Sequence, residues 1–161
     1  MTGWPGTRDD AELDPTLYSG TSGIIVTLLE ASRHFQDEAH ADAALAGARY
    51  VASPIDDADH CSLYFGLTGM AFALASIARE LNDGESAAAA ARVLALVRTR
   101  FDGERWSDQF ELLGGNAGIV RELLRYSRVT SRRDPRYAVA WPDHPPVATS
   151  ILSPDAGVDG P

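Results

Sequence analysis

The chemically most reactive side chains of this sequence form one small cluster, His60-Cys61. A thiol beside an imidazole is the beginning of a zinc site. A zinc site needs three or four ligands, and only His34, His40 and His144 remain to complete one, because Cys61 is the single cysteine. His34 and His40 flank an acidic stretch that is typical of a solvated turn. We therefore predict no bound metal and no other cofactor.

Carboxylates offer a second chemistry. Asp56, Asp57 and Asp59 form an acidic loop, and Asp108 and Glu111 lie farther along the chain. Two carboxylates at a suitable separation hydrolyse glycosidic bonds, so a hydrolase is one interpretation of this pattern. A solvated acidic loop is the other. The sequence contains no nucleophile elbow, phosphate loop or dinucleotide fingerprint.

Composition narrows the class of protein. The 161 residues carry 23 acidic and 14 basic side chains, a formal net charge of −9. The negative electrostatic field of such a charge repels a phosphate backbone, so we expect no nucleic-acid partner. The apolar stretches are shorter than the roughly 20 residues of a bilayer span, and the N-terminus has no signal-peptide pattern. We expect a cytoplasmic protein with no membrane partner.

A repeated motif sets the organisation of the chain. Residues 16–29, 62–75 and 111–124 share a leucine, a Tyr or Leu, the pattern Gly-x-x-Gly and an apolar stretch. The glycine pairs are Gly20 and Gly23, Gly66 and Gly69, and Gly115 and Gly118. The first glycine recurs after 46 and then 49 residues, a spacing typical of repeat proteins.

We interpret all six glycines as structural. The first glycine of each pair is expected to adopt backbone angles that a Cβ would forbid. The second is expected to let a neighbouring helix approach closely. Tyr18 and Tyr64 occupy one repeat position, which predicts that they pack between units.

Each unit contains two helical patterns. Apolar helices are predicted at about residues 23–35, 69–81 and 118–126, and amphipathic, alanine-rich helices at about 39–51 and 85–101. The first kind is apolar around most of its surface, which indicates burial on several sides. No segment alternates with period two, so we predict an all-α fold of helical hairpins.

These stretches resemble the repeats of the lanthionine synthetase C-like (LanC-like) family. The most similar segment is Leu-Tyr-Phe-Gly-Leu-Thr-Gly-Met-Ala-Phe-Ala-Leu at residues 63–74, and residues 17–29 are similar to it. Glu111–Leu124 resembles a later repeat of the family, in which an Asp precedes the Gly-x-Ala-Gly pattern. The resemblance covers about residues 14–126 and implies part of a double-layered α/α toroid. It also implies an enzyme that adds peptide cysteine thiols to dehydroalanine or dehydrobutyrine, with the thiol activated by a zinc ion on two Cys and one His.

The sequence departs from the family at the zinc ligands. The family carries them in Trp-Cys-x-Gly and Cys-His-Gly motifs, and neither motif occurs here. Glu111 stands where the third repeat of the family has an Asp associated with the active site, so the resemblance makes Glu111 the candidate catalytic residue. The alternative for Glu111 is a capping role, for which Thr16 and Ser62 are suited at the same repeat position. We expect a chain that is not catalytic alone.

The C-terminal segment has a different composition. Residues 127–161 hold six of the nine prolines, which predicts a flexible, Pro-rich tail after a partial LanC-like domain at residues 1–126. We interpret the whole as a truncated LanC-like protein associated with lanthipeptide modification. Two alternatives stay open: a non-catalytic module that binds a precursor peptide, a larger lanthipeptide synthetase or a second copy of itself, and an α/α-toroid glycoside hydrolase.

Overall fold

The computed structural model describes residues 13–131, and no strand occurs in this range. The α-helices are α1 (Thr21–Phe35), α2 (Glu38–Val51), α3 (Leu67–Glu80), α4 (Gly84–Thr99) and α5 (Asn116–Ser131), with a short 3-10 helix at Ile55–Asp57. The predicted all-α class is confirmed. None of the described helices is long and apolar enough to cross a bilayer.

The helices pack as hairpins around α3. Contacts join α1 to α2 and α3 to α4 within hairpins, and α3 also contacts α1, α2 and α5. Most of α3 is buried, as the apolar pattern around its surface predicted. The core is filled by large side chains that are fully buried on several helices, among them Ile25, Met70, Leu74, Ile77, Val93, Val97 and Ile119.

The first helix of each hairpin ends in a turn that repeats. Gln36 and Asn82 have φ angles of 55° and 54°, the left-handed region that stops a helix. The next residue, Asp37 or Asp83, caps the second helix, because its carboxylate accepts a backbone N–H from the first turn of α2 or α4. The two hairpins therefore share one connecting geometry.

An ion pair joins the two hairpins. The guanidinium of Arg49 on α2 donates to both carboxylate oxygens of Asp83 at 2.8 Å each. Asp83 also accepts the N–H of Ser86 at 2.7 Å, so one carboxylate caps α4 and holds the end of α2. Such a bidentate pair fixes geometry as well as adding stability.

The helix bounds differ from the sequence expectation at two places. The inner helices α1, α3 and α5 begin one residue after the first glycine of each pair, not at the second glycine. Helix α5 continues to Ser131 instead of ending at Tyr126, since residues 119–131 contain no proline or glycine to stop it. The remainder of the predicted tail, residues 132–161, lies outside the described residues.

Candidate functional site

Three entry turns lead into the inner helices: residues 13–20, 60–66 and 109–115. The N–H of Tyr18 donates to the carbonyl oxygen of Tyr64 at 3.0 Å, and the N–H of Tyr64 donates to the carbonyl oxygen of Leu113 at 3.0 Å. The three residues occupy the same repeat position. This ladder of backbone hydrogen bonds sets the N-terminal ends of α1, α3 and α5 side by side.

Each entry turn is closed by the same hydrogen bond. The first residue of the inner helix donates its N–H to a carbonyl seven positions earlier, at 2.8–2.9 Å: Thr21 to Asp14, Leu67 to His60, and Asn116 to Gln109. The accepting carbonyl lies directly against the first glycine of the motif. A Cβ at Gly20, Gly66 or Gly115 would lie 2.2, 2.1 or 2.6 Å from that oxygen.

This crowding corrects the expected reason for the first glycines. Gly20 and Gly66 have φ angles of −125° and −159°, an extended backbone that other residues adopt. Gly115 is not in the left-handed region either. The requirement for glycine at these positions is therefore space for a carbonyl oxygen.

The second glycine of each of the two later repeats contacts the preceding repeat. A Cβ at Gly69 would lie 2.9 Å from the Cβ of Leu17, and one at Gly118 would lie 2.8 Å from the Cβ of Leu63. The close approach predicted from the sequence thus involves the leucine of the previous entry turn, and not a neighbouring helix. Each repeat places its leucine in the space that the next repeat's glycine leaves.

The aromatic side chains of the entry turns meet between repeats. The rings of Tyr18 and Tyr64 have centroids 6.3 Å apart, and Tyr18 and Phe65 lie 5.4 Å apart. Tyr18 is 68% exposed and Phe65 43% exposed. The pair Tyr18 and Tyr64 therefore packs between units, as predicted, but on the surface.

A cavity of about 450 Å³ lies between the second and third entry turns. Its lining has both polar and apolar surface and comprises His60, Ser62, Phe65, Ser107, Asp108, Gln109 and Gly114. Asn116 holds one wall, because its side chain donates to the carbonyls of Ser107 and Gln109 at 2.5 and 2.8 Å and accepts the N–H of Trp106 at 2.9 Å. The cavity has room for part of a ligand.

Glu111 lies beside this cavity with its carboxylate already engaged. One oxygen accepts the N–H of Gly114 at 2.7 Å and the other accepts the N–H of Leu113. The side chain is exposed. In this arrangement Glu111 stabilises its own turn.

Of the other predicted carboxylates, Asp108 lines the same cavity, whereas Asp59 lines a different one. Asp108 is exposed and pairs with Arg105 at 3.2 Å. Asp59 lines a different cavity, of about 330 Å³, beside Asp14 on the first entry turn. Asp56 is exposed, and the side chain of Asp57 lies outside the description.

His60 and Cys61 have different environments. His60 is exposed, whereas Cys61 is 7% exposed and belongs to the core. Burial raises the pKa of the Cys61 thiol, and nearby Arg100 opposes only part of this rise. The thiol is therefore neutral and packed, a poor nucleophile and a poor metal ligand.

One buried ion pair was not found by sequence reasoning. Glu122 on α5 is 2% exposed, and its carboxylate accepts the Nε of Arg125 at 2.8 and 2.9 Å. The Arg125 guanidinium lies 4.7 Å from the ring centroid of Phe72, which ties α5 to α3. The i, i+3 spacing of Glu and Arg is the signal in the sequence, but the spacing does not reveal the burial.

Comparison with protein families gives one match. The family model described as lanthionine synthetase C-like protein matches residues 11–140, which is most of the chain. This chain belongs to the LanC-like family. The match extends past residue 126, where the resemblance was expected to end. Comparison with curated proteins and with solved structures gives no match.

The residues of this LanC-like chain do not fit the zinc ion that the family resemblance implies. That ion needs two cysteine thiolates and a histidine, and the chain has one cysteine, whose thiol is packed in the core. Within residues 13–131, no group of three or more His, Cys, Asp or Glu side chains could hold a metal ion.

Proposed function

We propose that this chain acts in the formation of thioether-containing peptides as a LanC-like protein that binds peptide but does not close rings by itself. Membership of the family supports the link to this chemistry. The proposal that the chain does not close rings by itself rests on the burial of Cys61, the single thiol, which is 7% exposed. Activation of a substrate thiol by the family's zinc chemistry then depends on a partner.

The peptide would bind on the side formed by the entry turns. The cavity there joins polar groups, such as His60 and Ser62, to the exposed ring of Phe65. Aromatic side chains with polar neighbours are common in peptide-binding surfaces, because a ring gives a large contact area at little entropic cost. We assign this surface to an apolar side chain of a precursor peptide.

We assign Glu111 to the turn and not to acid–base catalysis. Each of its two oxygens accepts one backbone N–H of the turn, so the side chain cannot rotate towards a substrate without losing these bonds. This assignment favours the capping interpretation of the sequence over the catalytic one.

The partner for catalysis would be a larger lanthipeptide synthetase in the cytoplasm. Such an enzyme would supply the zinc and the dehydrated peptide, and this chain would add a second point of attachment. Two weak attachments on one peptide raise the overall affinity through effective concentration.

The test uses the purified full chain and a dehydrated precursor peptide with a free cysteine. We expect the peptide thiol to remain fully reactive towards an alkylating agent when the chain is present alone, and the chain to contain less than one equivalent of zinc. Ring closure by the chain alone would overturn the proposal.

Peptide binding is tested separately, by fluorescence anisotropy. Phe65→Asp is expected to weaken binding, while Phe35→Asp, at the far end of α1 and 67% exposed, serves as the matched control. Absence of binding by the unaltered chain, or equal effects of the two substitutions, would contradict the assigned surface.

A further inference from the structure

The contact between successive repeats has two parts, and both occur twice within the described residues. In the first part, the N–H of one entry turn donates to the carbonyl of the next entry turn, as Tyr18 does to Tyr64 and Tyr64 to Leu113. In the second part, the leucine of one entry turn lies against the second glycine of the next repeat. The N–H and the leucine of an entry turn, which contact the next repeat, form the forward half of the contact. The carbonyl and the second glycine, which contact the previous repeat, form the backward half.

The third entry turn carries the forward half of this contact, and within residues 13–131 no following repeat lies on it. Leu112 corresponds to Leu63, yet Leu112 is 42% exposed and Leu63 is 2% exposed. The N–H of Leu113, next in the ladder, donates to the carboxylate of Glu111 in its own turn. The shorter hydroxyl side chains Thr16 and Ser62 stand at the position of Glu111 in the earlier repeats.

The first entry turn carries the backward half. A Cβ at Gly23 would meet only the Leu17 carbonyl group of its own turn, whereas Gly69 and Gly118 also meet the leucine of the previous repeat. Within the part of the chain that the structure describes, no backbone N–H donates to the carbonyl of Tyr18. The Tyr18 ring is 68% exposed at this end.

We propose that a second copy of this chain binds head to tail across these two ends. The first entry turn of the second copy would sit on the third entry turn of the first copy. The N–H of Leu113 would then pass from Glu111 to the Tyr18 carbonyl of the second copy, and Leu112 would fill the space beside Gly23 of the second copy.

The two ends favour a second copy because they are complementary halves of a contact that the chain already makes with itself. The same contact formed at both junctions joins two copies by a two-fold axis and leaves no further end open. Leucine and tyrosine side chains at the junction suit a buried interface better than charged residues would. The peptide is assigned to Phe65, and the Tyr18 ring lies 5.4 Å from the Phe65 ring, so a change at Tyr18 affects both surfaces. Leu112→Asp leaves both rings unaltered and therefore separates the test of the dimer from the test of peptide binding.

The experiment measures molar mass by light scattering across a concentration series of the full chain. We expect a mass of twice 17.3 kDa at the upper concentrations. Leu112→Asp is expected to raise the dissociation constant of the dimer by about tenfold or more, because burying one leucine is worth at least that factor. Phe35→Asp, which also replaces an exposed apolar side chain by Asp but away from the junction, is expected to leave the constant unchanged.

A second variant guards against unfolding. Tyr18→Asp places the charge at the opposite end of the junction and is expected to give the same loss of dimer, with the helical circular dichroism retained. Three results would each overturn the proposal: a monomer at every concentration, a dimer that persists in both folded variants, or assemblies that grow beyond the dimer.

Discussion

The backbone N–H of Tyr18 and the carbonyl oxygen of Tyr64 lie 3.0 Å apart, and the two residues hold the same position in successive repeats. The next bond of the ladder ends on Leu113, a residue of a different type at that position. Because the bonds use main-chain atoms only, the side chain at this position can change from tyrosine to leucine without loss of the ladder. The glycines, by contrast, admit no such change.

Gly69→Ala tests the space that the repeat contact requires. Alanine is the better helix former by about 1 kcal/mol, but its Cβ would lie 2.1 Å from the Leu63 carbonyl oxygen and 2.9 Å from the Leu17 Cβ. We expect the clash to dominate and to lower the free energy of unfolding by about 2 kcal/mol. Urea denaturation measures the change.

The matched control is Gly84→Ala in the first turn of α4, where a Cβ meets nothing within 4 Å. We expect this change to be neutral or to stabilise the protein by up to about 1 kcal/mol. Equal losses at Gly69 and Gly84 would show that crowding is not the reason for glycine at the repeat position.

Asp83→Ala tests the link between the two hairpins. The substitution removes the cap of α4 and the bidentate contact of Arg49, so we expect a loss of about 1–2 kcal/mol in thermal or urea unfolding. Asp37→Ala is the control, because Asp37 caps α2 but, among the described residues, its ionic neighbour is His40 at 3.6 Å and not an arginine. A loss at Asp37 as large as that at Asp83 would contradict a contribution from Arg49.

The same carboxylate predicts a pH dependence. The hydrogen bond from Arg49, assisted by Ser86, holds the pKa of Asp83 well below its ordinary value of 3.8. Its contribution to stability is therefore complete above pH 3.8 and is lost as the pH falls below that value. At Asp14, burial raises the pKa, but the hydrogen bonds of Ser19 and Thr16 outweigh it, so Asp14 acts in the same direction.

We expect Asp83→Asn to lose less stability on acidification than the unaltered chain does. The measurement is urea unfolding at a series of pH values from neutral to below 3.8. Parallel curves for the two proteins would mean that Asp83 has the same pKa in the folded and unfolded states.

Asn116→Asp tests the wall of the cavity between the second and third entry turns. The amide nitrogen of Asn116 donates to the carbonyls of Ser107 and Gln109, and a carboxylate oxygen in its place would face both of them. We expect a loss of about 2 kcal/mol, seen as a lower urea midpoint. Asn82→Asp, the same change at an exposed residue, should stay within about 0.5 kcal/mol.

The sequence was sufficient to predict the helical hairpins, because the apolar period and the recurring glycines are local signals. It was not sufficient to explain why glycine is required at positions 20 and 66, because the carbonyl that crowds each glycine comes from the far end of its turn. The start of α1 at Thr21 follows from that same turn, which is closed by a hydrogen bond to Asp14. Which carbonyl a turn brings against its glycine cannot be read from the apolar period or from the glycine spacing.

The candidate site was predicted less completely than the fold. The position of Glu111 beside the third glycine pair was readable, but the two N–H groups that hold its carboxylate depend on the path of the backbone. The adjacent His60 and Cys61 have opposite exposures, which depends on how the second entry turn packs on the core. The burial of Glu122 depends in the same way on the packing of α5 against α3.

The ladder of entry turns has a direction, so a whole repeat is the smallest segment that can be inserted or removed without changing the junctions. Each unit donates to its successor and accepts from its predecessor through the same atoms, as the bond from Tyr18 to Tyr64 and that from Tyr64 to Leu113 do. Gain or loss of one whole unit would rejoin a donor to an acceptor and a leucine to a glycine. Gain or loss of part of a unit would leave both mismatched, so only the insertion or removal of a whole repeat keeps the contacts of every junction.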